Sequence, residues 1–208
     1  MKNLCLIMSG APDCYIPVSS KQADFVIACD AGYVHTRRLG VIPDVLIGDF
    51  DSYQGEIDED IKEVIRTKPE KDDTDTLMAL KLALERGYKK IMLLGALGGR
   101  LDHTLANLAL AGFAAENGAD LQILDGHHQI FAVRNGARRV HRSSWRNLSV
   151  FSFDTECRGV CLRGVKYPLE DASLKNTFPL GISNEFTEDT AEIRVDSGTL
   201  LVVLSDIA

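Results

Sequence analysis

Three short acidic motifs each close an apolar run: Ala28-Cys-Asp-Ala-Gly32, Gly48-Asp-Phe-Asp-Ser52 and Gly98-Gly-Arg-Leu-Asp-His103. A fourth, Lys71-Asp-Asp-Thr-Asp75, opens a helix-like stretch. For any single motif, Asp and Gly making a turn after a strand is an adequate account. For four of them, a convergent site is the better one. Carboxylates held close repel one another and rise in pKa unless a cation compensates. A few carboxylate oxygens on loops suit a hydrated Mg²⁺ shared with a substrate phosphate. If the chain is extended through Gly48–Ser52, Asp49 and Asp51 point to one side and Phe50 to the other. The glycines of Gly95–His103 offer backbone amides at a helix N-terminus, an anion site, and Arg100 can grip a phosphate with two parallel hydrogen bonds. The turn is neither a Walker A loop nor the dinucleotide fingerprint. Carboxylates and an anion-binding turn accept the same polyphosphate only when a divalent ion bridges them. The mixture therefore points to Mg²⁺–nucleotide chemistry.

These motifs need a scaffold that brings them to one edge. Buried parallel strands are expected at Leu4–Met8, Phe25–Ala28, Val45–Ile47, Ile91–Leu94 and Leu121–Leu124. Helices are expected at Thr74–Arg86, ending at Gly87, and Leu101–Asn117, ending at Gly118. Alternation of this kind gives an α/β domain, a parallel sheet flanked by helices. Asp30, Asp49 with Asp51, and Gly95–His103 then all follow carboxyl ends of strands, where open parallel sheets bind ligands. At the start of the first helix, capping and the helix dipole account for at least one of Asp72, Asp73 and Asp75.

Beyond Gly126 the helical period disappears. Short strands are expected at Gln129–Val133, Leu148–Phe153, Gly159–Arg163, Ala191–Val195 and Thr199–Leu204, with turns at Arg134–Gly136 and Asp196–Gly198. That reads as an all-β sandwich or barrel. The expected domains are 1–126 and 127–208, with no low-complexity linker.

Composition sets outer bounds. The chain has 208 residues, 45% hydrophobic and 25% charged, enough for a core without staples. No run approaches the roughly 18 apolar residues of a membrane span. The net charge of −7 disfavours nonspecific nucleic-acid binding. Arg134–Arg146, with five arginines, reads as a solvated loop or an interface, the loop being favoured. The five cysteines, an odd count without paired spacings, read as buried thiols in a reducing cytoplasm.

In this order, the motifs resemble thiamine pyrophosphokinases over nearly the whole chain. The resemblance rests on Asp30 and Gly32, Gly48–Ser52, Asp72-x-Thr74-Asp75 and Gly98-Gly-Arg-x-Asp102, followed by Gly164–Leu169 and Gly181–Glu185. It implies Mg²⁺-dependent transfer of pyrophosphate from ATP to the thiamine hydroxyl, with attack at the β-phosphorus and release of AMP. It implies Mg²⁺ and polyphosphate held by Asp49, Asp51, Asp72 and Asp75, with Asp51, Asp75, Arg100 and Asp102 as the catalytic set. Asp30, Gly32, Ser52, Lys71, Thr74, Gly98, Gly99 and Arg100 would face the nucleotide. Asp102, Tyr167, Ser183 and Asn184 would face thiamine. The resemblance also implies a homodimer with thiamine between subunits. The chain departs from the family pattern at Ala31, where Gly is usual, and at Tyr167, where some members carry Trp. Position 73 varies in the family, so Asp73 is left outside the set. On the residues alone, a Mg²⁺-dependent phosphohydrolase and a non-catalytic nucleotide- or vitamin-binding module stay open.

Overall fold

The computed structural model describes residues 3–12, 14–50, 56–68 and 72–207. They form two compact units, Met1–Leu110 with Asn117–Gly126, and Ala111–Glu116 with His127–Ala208. The division leaves the last six residues of the Leu101 helix with the second unit, whereas the sequence boundary near 126 kept that helix whole.

In the first unit, strands β1 (Cys5–Met8), β2 (Phe25–Cys29), β3 (Val45–Gly48), β4 (Glu63–Arg66), β5 (Lys90–Leu94) and β6 (Asp120–Leu124) pair in parallel, in the order β6-β5-β1-β2-β3-β4. β1, β2 and β3 are buried at every position, as central parallel strands should be. The chain runs outward from β1 in one direction through β2–β4, then in the other through β5 and β6. The switch point therefore lies between the ends of β1 and β5, where Met8 is paired with Leu94.

Among the described residues, the α-helices that follow these strands are α1 (Gly32–Leu39), α2 (Asp75–Glu85) and α3 (Leu101–Glu116), the last of which ends in the second unit. The Thr74 hydroxyl accepts from the Leu77 amide at 3.2 Å and caps α2. α1 and β4 were not expected from the sequence. The buried face of α1 includes His35 and Thr36, which an apolar-period search passes over. β4 is a four-residue edge strand whose side chains are all at least partly exposed.

The second unit is antiparallel throughout its ladders: β7 (His128–His141), β8 (Asn147–Ser152), β9 (Glu156–Arg163), β10 (Leu169–Lys175), β11 (Asn184–Glu185) and β12 (Thr190–Ser205). β12 organises it. One edge pairs with β7 along most of its length, while the other pairs first with β9 and then, from Leu200, with β8.

The two expected turns are bulges instead. Asn135 and Gly198 both take left-handed φ, 44° and 109°, and the Gly198 amide donates to Asn135 Oδ1 at 2.8 Å. The strands run on through them, so Ala191–Val195 and Thr199–Leu204 are two halves of one strand. The register shift between Val195 and Thr199 also changes which parity faces inward. Ala191, Ile193 and Val195 precede it, Leu200, Val202 and Leu204 follow it, and all six enter one core with Phe131, Leu148, Val150 and Leu162.

The basic stretch, expected as a loop, lies largely on β7. There Arg138 covers the Phe131 ring at 4.0 Å, and Arg134 and Arg139 pair with Glu116 and Glu192. All five cysteines are free and buried. Among the described residues, no helix is long and apolar enough to cross a membrane.

Deleting Ser197 should shift the second half of β12 by one residue and turn Leu200, Val202 and Leu204 outward. Near-ultraviolet circular dichroism should then lose the native signal. Ser197→Ala, at an exposed position, should change stability by no more than about 0.5 kcal/mol.

Candidate active site

Asp30 sits one residue past β2, at φ 44°, with its amide donating to Ile47 O at 2.9 Å. Its carboxylate lies over the end of β3. A Cβ on Gly48 would fall 1.7 Å from Asp30 Oδ1, so only glycine admits the side chain there. Asp30 Oδ1 accepts from the Phe50 amide at 3.3 Å. Burial, then a hydrogen bond shared with the Asp75 carboxyl, pushes the Asp30 pKa up to about 6, with Asp49 adding repulsion and the Phe50 amide opposing. Asp75 opens α2, and its Oδ1 also accepts from the Thr67 hydroxyl at 3.2 Å, just beyond β4. Acids from three separate chain segments thus interact at the carboxyl edge of the sheet.

Phe50 takes φ 61°, a left-handed conformation rare for a bulky residue. The extended backbone supposed for this stretch is therefore interrupted at Phe50. The Phe50 ring packs against the cluster of Ala28, Tyr33, Leu46 and Ile61, with the Arg66 guanidinium 5.0 Å from its centroid. Asp51, Ser52 and Lys71 lie outside the described residues.

Around α2, Thr74 rather than an aspartate is the cap, and Asp75 meets Asp30. Asp73 pairs with Lys81 at 2.6 Å. Asp72 is exposed. Among the described residues, no group of three or more His, Cys, Asp or Glu side chains is arranged to hold a metal ion.

Beyond β5, Gly98 and Gly99 take successive left-handed φ of 85° and 69° and lead through Arg100 into α3. Arg100 forks onto Asp102, with Nη2–Oδ2 at 2.6 Å and Nε–Oδ1 at 3.2 Å, and Asp102 also accepts from the His103 amide. The guanidinium holds the Asp102 carboxyl below its usual range. Both side chains are exposed, at 73% and 63%.

The acid cluster and the glycine turn are joined by residues the sequence reading missed. The Ser9 hydroxyl lies 3.2 Å from that of Thr76, next to Asp75. The Ser9 and Ala11 amides donate to Leu94 O and Gly95 O at 2.8 and 2.9 Å. Ser-Gly directly after the first strand was the available signal. Gly32 begins α1, where a Cβ would fall 2.0 Å from Met8 O. The Ala31 methyl lies 3.0 Å from where a Cβ on Gly10 would stand, so the departure at 31 is accommodated by glycine at 10.

In the second unit, Asn184 is 4% exposed and its amide clasps the Tyr167 backbone in both directions: Tyr167 N donates to Oδ1 at 2.9 Å and Nδ2 donates to Tyr167 O at 2.7 Å. This makes Asn184 a brace for the Tyr167 loop. The Tyr167 ring is 59% exposed, with Lys166 Nζ 5.5 Å from its centroid. Ser183 takes φ 55° and donates its amide to Ser149 Oγ.

The two halves of the chain match two family descriptions in this order: thiamin pyrophosphokinase catalytic domain over residues 18–123, and thiamin pyrophosphokinase vitamin B1 binding domain over residues 137–200. The chain belongs to the thiamin pyrophosphokinase family. It is 28% identical over 210 residues to a thiamine pyrophosphokinase of Bacillus subtilis (strain 168), covering 96% of this chain and 97% of that protein. The solved thiamine pyrophosphokinase from Bacillus subtilis superposes with a TM-score of 0.88 at 27% identity over 100% of both chains. A family protein from Enterococcus faecalis gives 0.87 at 29% identity, over 99% of this chain and 100% of that one.

The raised Asp30 pKa has a sign. The folded state holds the Asp30 proton more tightly than the unfolded chain, so this stabilising contribution is complete below pH 3.8 and is lost as pH rises to about 6. Urea denaturation of metal-free protein should record that decline in the parent. Asp30→Asn, which keeps a polar partner for Asp75 but cannot ionise, should flatten it.

Proposed function

We propose that the chain transfers pyrophosphate from ATP to the hydroxyl of thiamine, giving thiamine diphosphate and AMP. The observation that carries the chemistry is the Asp30–Asp75 contact, in which a carboxyl after β2 and one at the start of α2 share a hydrogen bond. Such a pair is stable with a proton between the carboxyls, or with a cation in place of that proton. Hard carboxylate oxygens at this edge fit Mg²⁺, so the donor chemistry suits the metal-dependent reading. Asp49 and Asp75, with Asp51 and Asp72, are its proposed ligands. Bound there, Mg²⁺ would neutralise polyphosphate charge and carry it beside the carboxylates.

The chain's own groups supply orientation. The Gly98–Gly99 turn and the start of α3 would present main-chain amides and a positive helix end to phosphate oxygens. Arg100 would exchange part of its fork onto Asp102 for a phosphate. Asp30, Gly32, Ser52, Lys71 and Thr74 complete the proposed nucleotide side. The thiamine hydroxyl oxygen attacks the β-phosphorus as the bond to the α-phosphate bridging oxygen breaks, and AMP leaves. The hydroxyl proton passes to a carboxylate of the cluster, for which Asp102 is our candidate. Catalysis then rests on positioning and charge neutralisation.

We read residues 1–126 as an α/β nucleotide-binding domain with helices on both faces of its parallel sheet. We read 127–208 as a β-sandwich that binds thiamine and mediates a homodimer. Tyr167 offers an aromatic face to the cationic thiazolium, and Ser183 and Asn184 flank it in sequence motif. Five buried free thiols fit a cytoplasmic enzyme.

Incubation with thiamine, ATP and Mg²⁺ should yield thiamine diphosphate and AMP by mass spectrometry, with neither product when thiamine or metal is omitted. AMP formed without thiamine would favour a hydrolase. Asp75→Asn should lower turnover by about 100-fold or more while leaving the melting curve cooperative. Asn184→Ala should raise the thiamine KM through the loosened Tyr167 loop, with the ATP KM unchanged in steady-state assays.

A further inference from the structure

His35 has no part in the chemistry above, yet it is a polar ring buried to 5% exposure on α1, at the end of the sheet that carries the site. Its Nε2 lies 2.8 Å from Ala11 O, and Arg38 Nη1 lies 3.4 Å from its Nδ1. A carbonyl only accepts and a guanidinium only donates, so the two contacts together select the tautomer with hydrogen on Nε2. The ring also reaches the second loop of the switch point. Its Cδ2 is 3.4 Å from where a Cβ on Gly95 would stand.

Those two loops are where regular pairing stops. β1 ends at Met8 and β5 at Leu94. Beyond them the Ser9 and Ala11 amides add two bonds to Leu94 O and Gly95 O. Pro12 Cδ then comes within 3.4 Å of the Cβ position of Gly99. From the other side, the buried Asn107 donates Nδ2 to Ala96 O at 2.9 Å. A hydrogen-bonded path therefore runs from the His35 ring through Ala11 to Gly95 O at the start of the glycine turn, and Asn107 holds Ala96 just beyond it. Without the His35 hydrogen bond, Ala11 O loses its side-chain donor and the residue whose amide bonds Gly95 O is no longer held from its other side.

We propose that His35 is a positioning residue for nucleotide binding: it holds the Ser9–Pro12 loop against the Gly95–Arg100 turn and so pre-forms the turn that receives phosphate. The inference rests on the pyrophosphate-transfer reading for which ligand the turn receives. It makes His35 selective. Loosening the turn adds an ordering cost to ATP binding and leaves the Tyr167 loop, which lies in the other unit, untouched.

The test compares His35→Leu, which removes the donor, with His35→Gln, whose side-chain amide can still donate to Ala11 O. His35→Leu should raise the ATP KM about tenfold, the scale of one lost buried hydrogen bond, with the thiamine KM unchanged. His35→Gln should return the ATP KM to within about twofold of the parent. An unchanged ATP KM in folded His35→Leu, an equal rise in both KM values, or failure of Gln to rescue would overturn the proposal. If His35→Leu does not fold, His35→Asn, polar but too short to reach Ala11 O, takes its place under the same criteria. Calorimetric titration with Mg²⁺–ATP alone separates nucleotide binding from pyrophosphate transfer. Parent protein that makes no AMP with thiamine sinks the transferase reading. The ratio of ATP Kd between His35→Leu and the parent still decides the role of His35.

Discussion

At the carboxyl end of β1, main chain meets main chain with no room for side chains between. Met8 O stands 2.0 Å from where a Cβ on Gly32 would be, and Ser9 O stands 2.2 Å from the corresponding point on Gly95. Both contacts involve rigid backbone, so no rotamer change relieves a larger residue. Because they are met, α1 can start directly over β1 and the turn after β5 can fold in beside it. Asp30, just ahead of α1, is then carried over Gly48, and Gly95–Arg100 lies beside Ser9–Pro12. The acids and the Gly95–Arg100 turn share one edge because these two glycines let the backbone close.

The same edge handles charge in two different ways. Asp30 and Asp75 relieve their repulsion by sharing a hydrogen bond, at the expense of a raised Asp30 pKa. Arg100 and Asp102 neutralise each other as an exposed ion pair, a contact of small intrinsic strength. Under the proposed function the first arrangement would accept an incoming cation and the second an incoming anion, and a metal-bound polyphosphate would bring both.

Much of this was legible in the sequence because the relevant signals are local. The apolar runs of β1, β2, β3, β5 and β6 and the stripe of α2 need no tertiary information, and the acids follow from strand ends. What was missed depended on context. β4 reads poorly because an edge strand exposes Glu63, Val64 and Arg66. α1 reads poorly because its inward face is built with His35 and Thr36, whose polar atoms bond Ala11 and Tyr33 carbonyls. The left-handed Phe50 is set by Asp30, twenty residues away in the chain. Asn135 and Asp196-Ser-Gly198 carry genuine turn chemistry, but the long β7–β12 ladder on either side of them makes a bulge the only conformation that keeps both halves in the core.

β12 follows in the chain every strand to which it is bonded, and those strands are β7, β8 and β9. Until residues 190–205 have been made, β7 lacks its antiparallel neighbour and β8 and β9 lack the strand that joins them. The first unit has no such dependence, since its ladders are complete by Leu124. During synthesis the two units are therefore on different clocks. The parallel layer can close on the ribosome, while the β unit has only its β9–β10 and β8–β11 pairs until its last strand is made. Its long-range pairing makes that final step the slow one, and the period before it is when the apolar β8 and β9 strands are most open to aggregation.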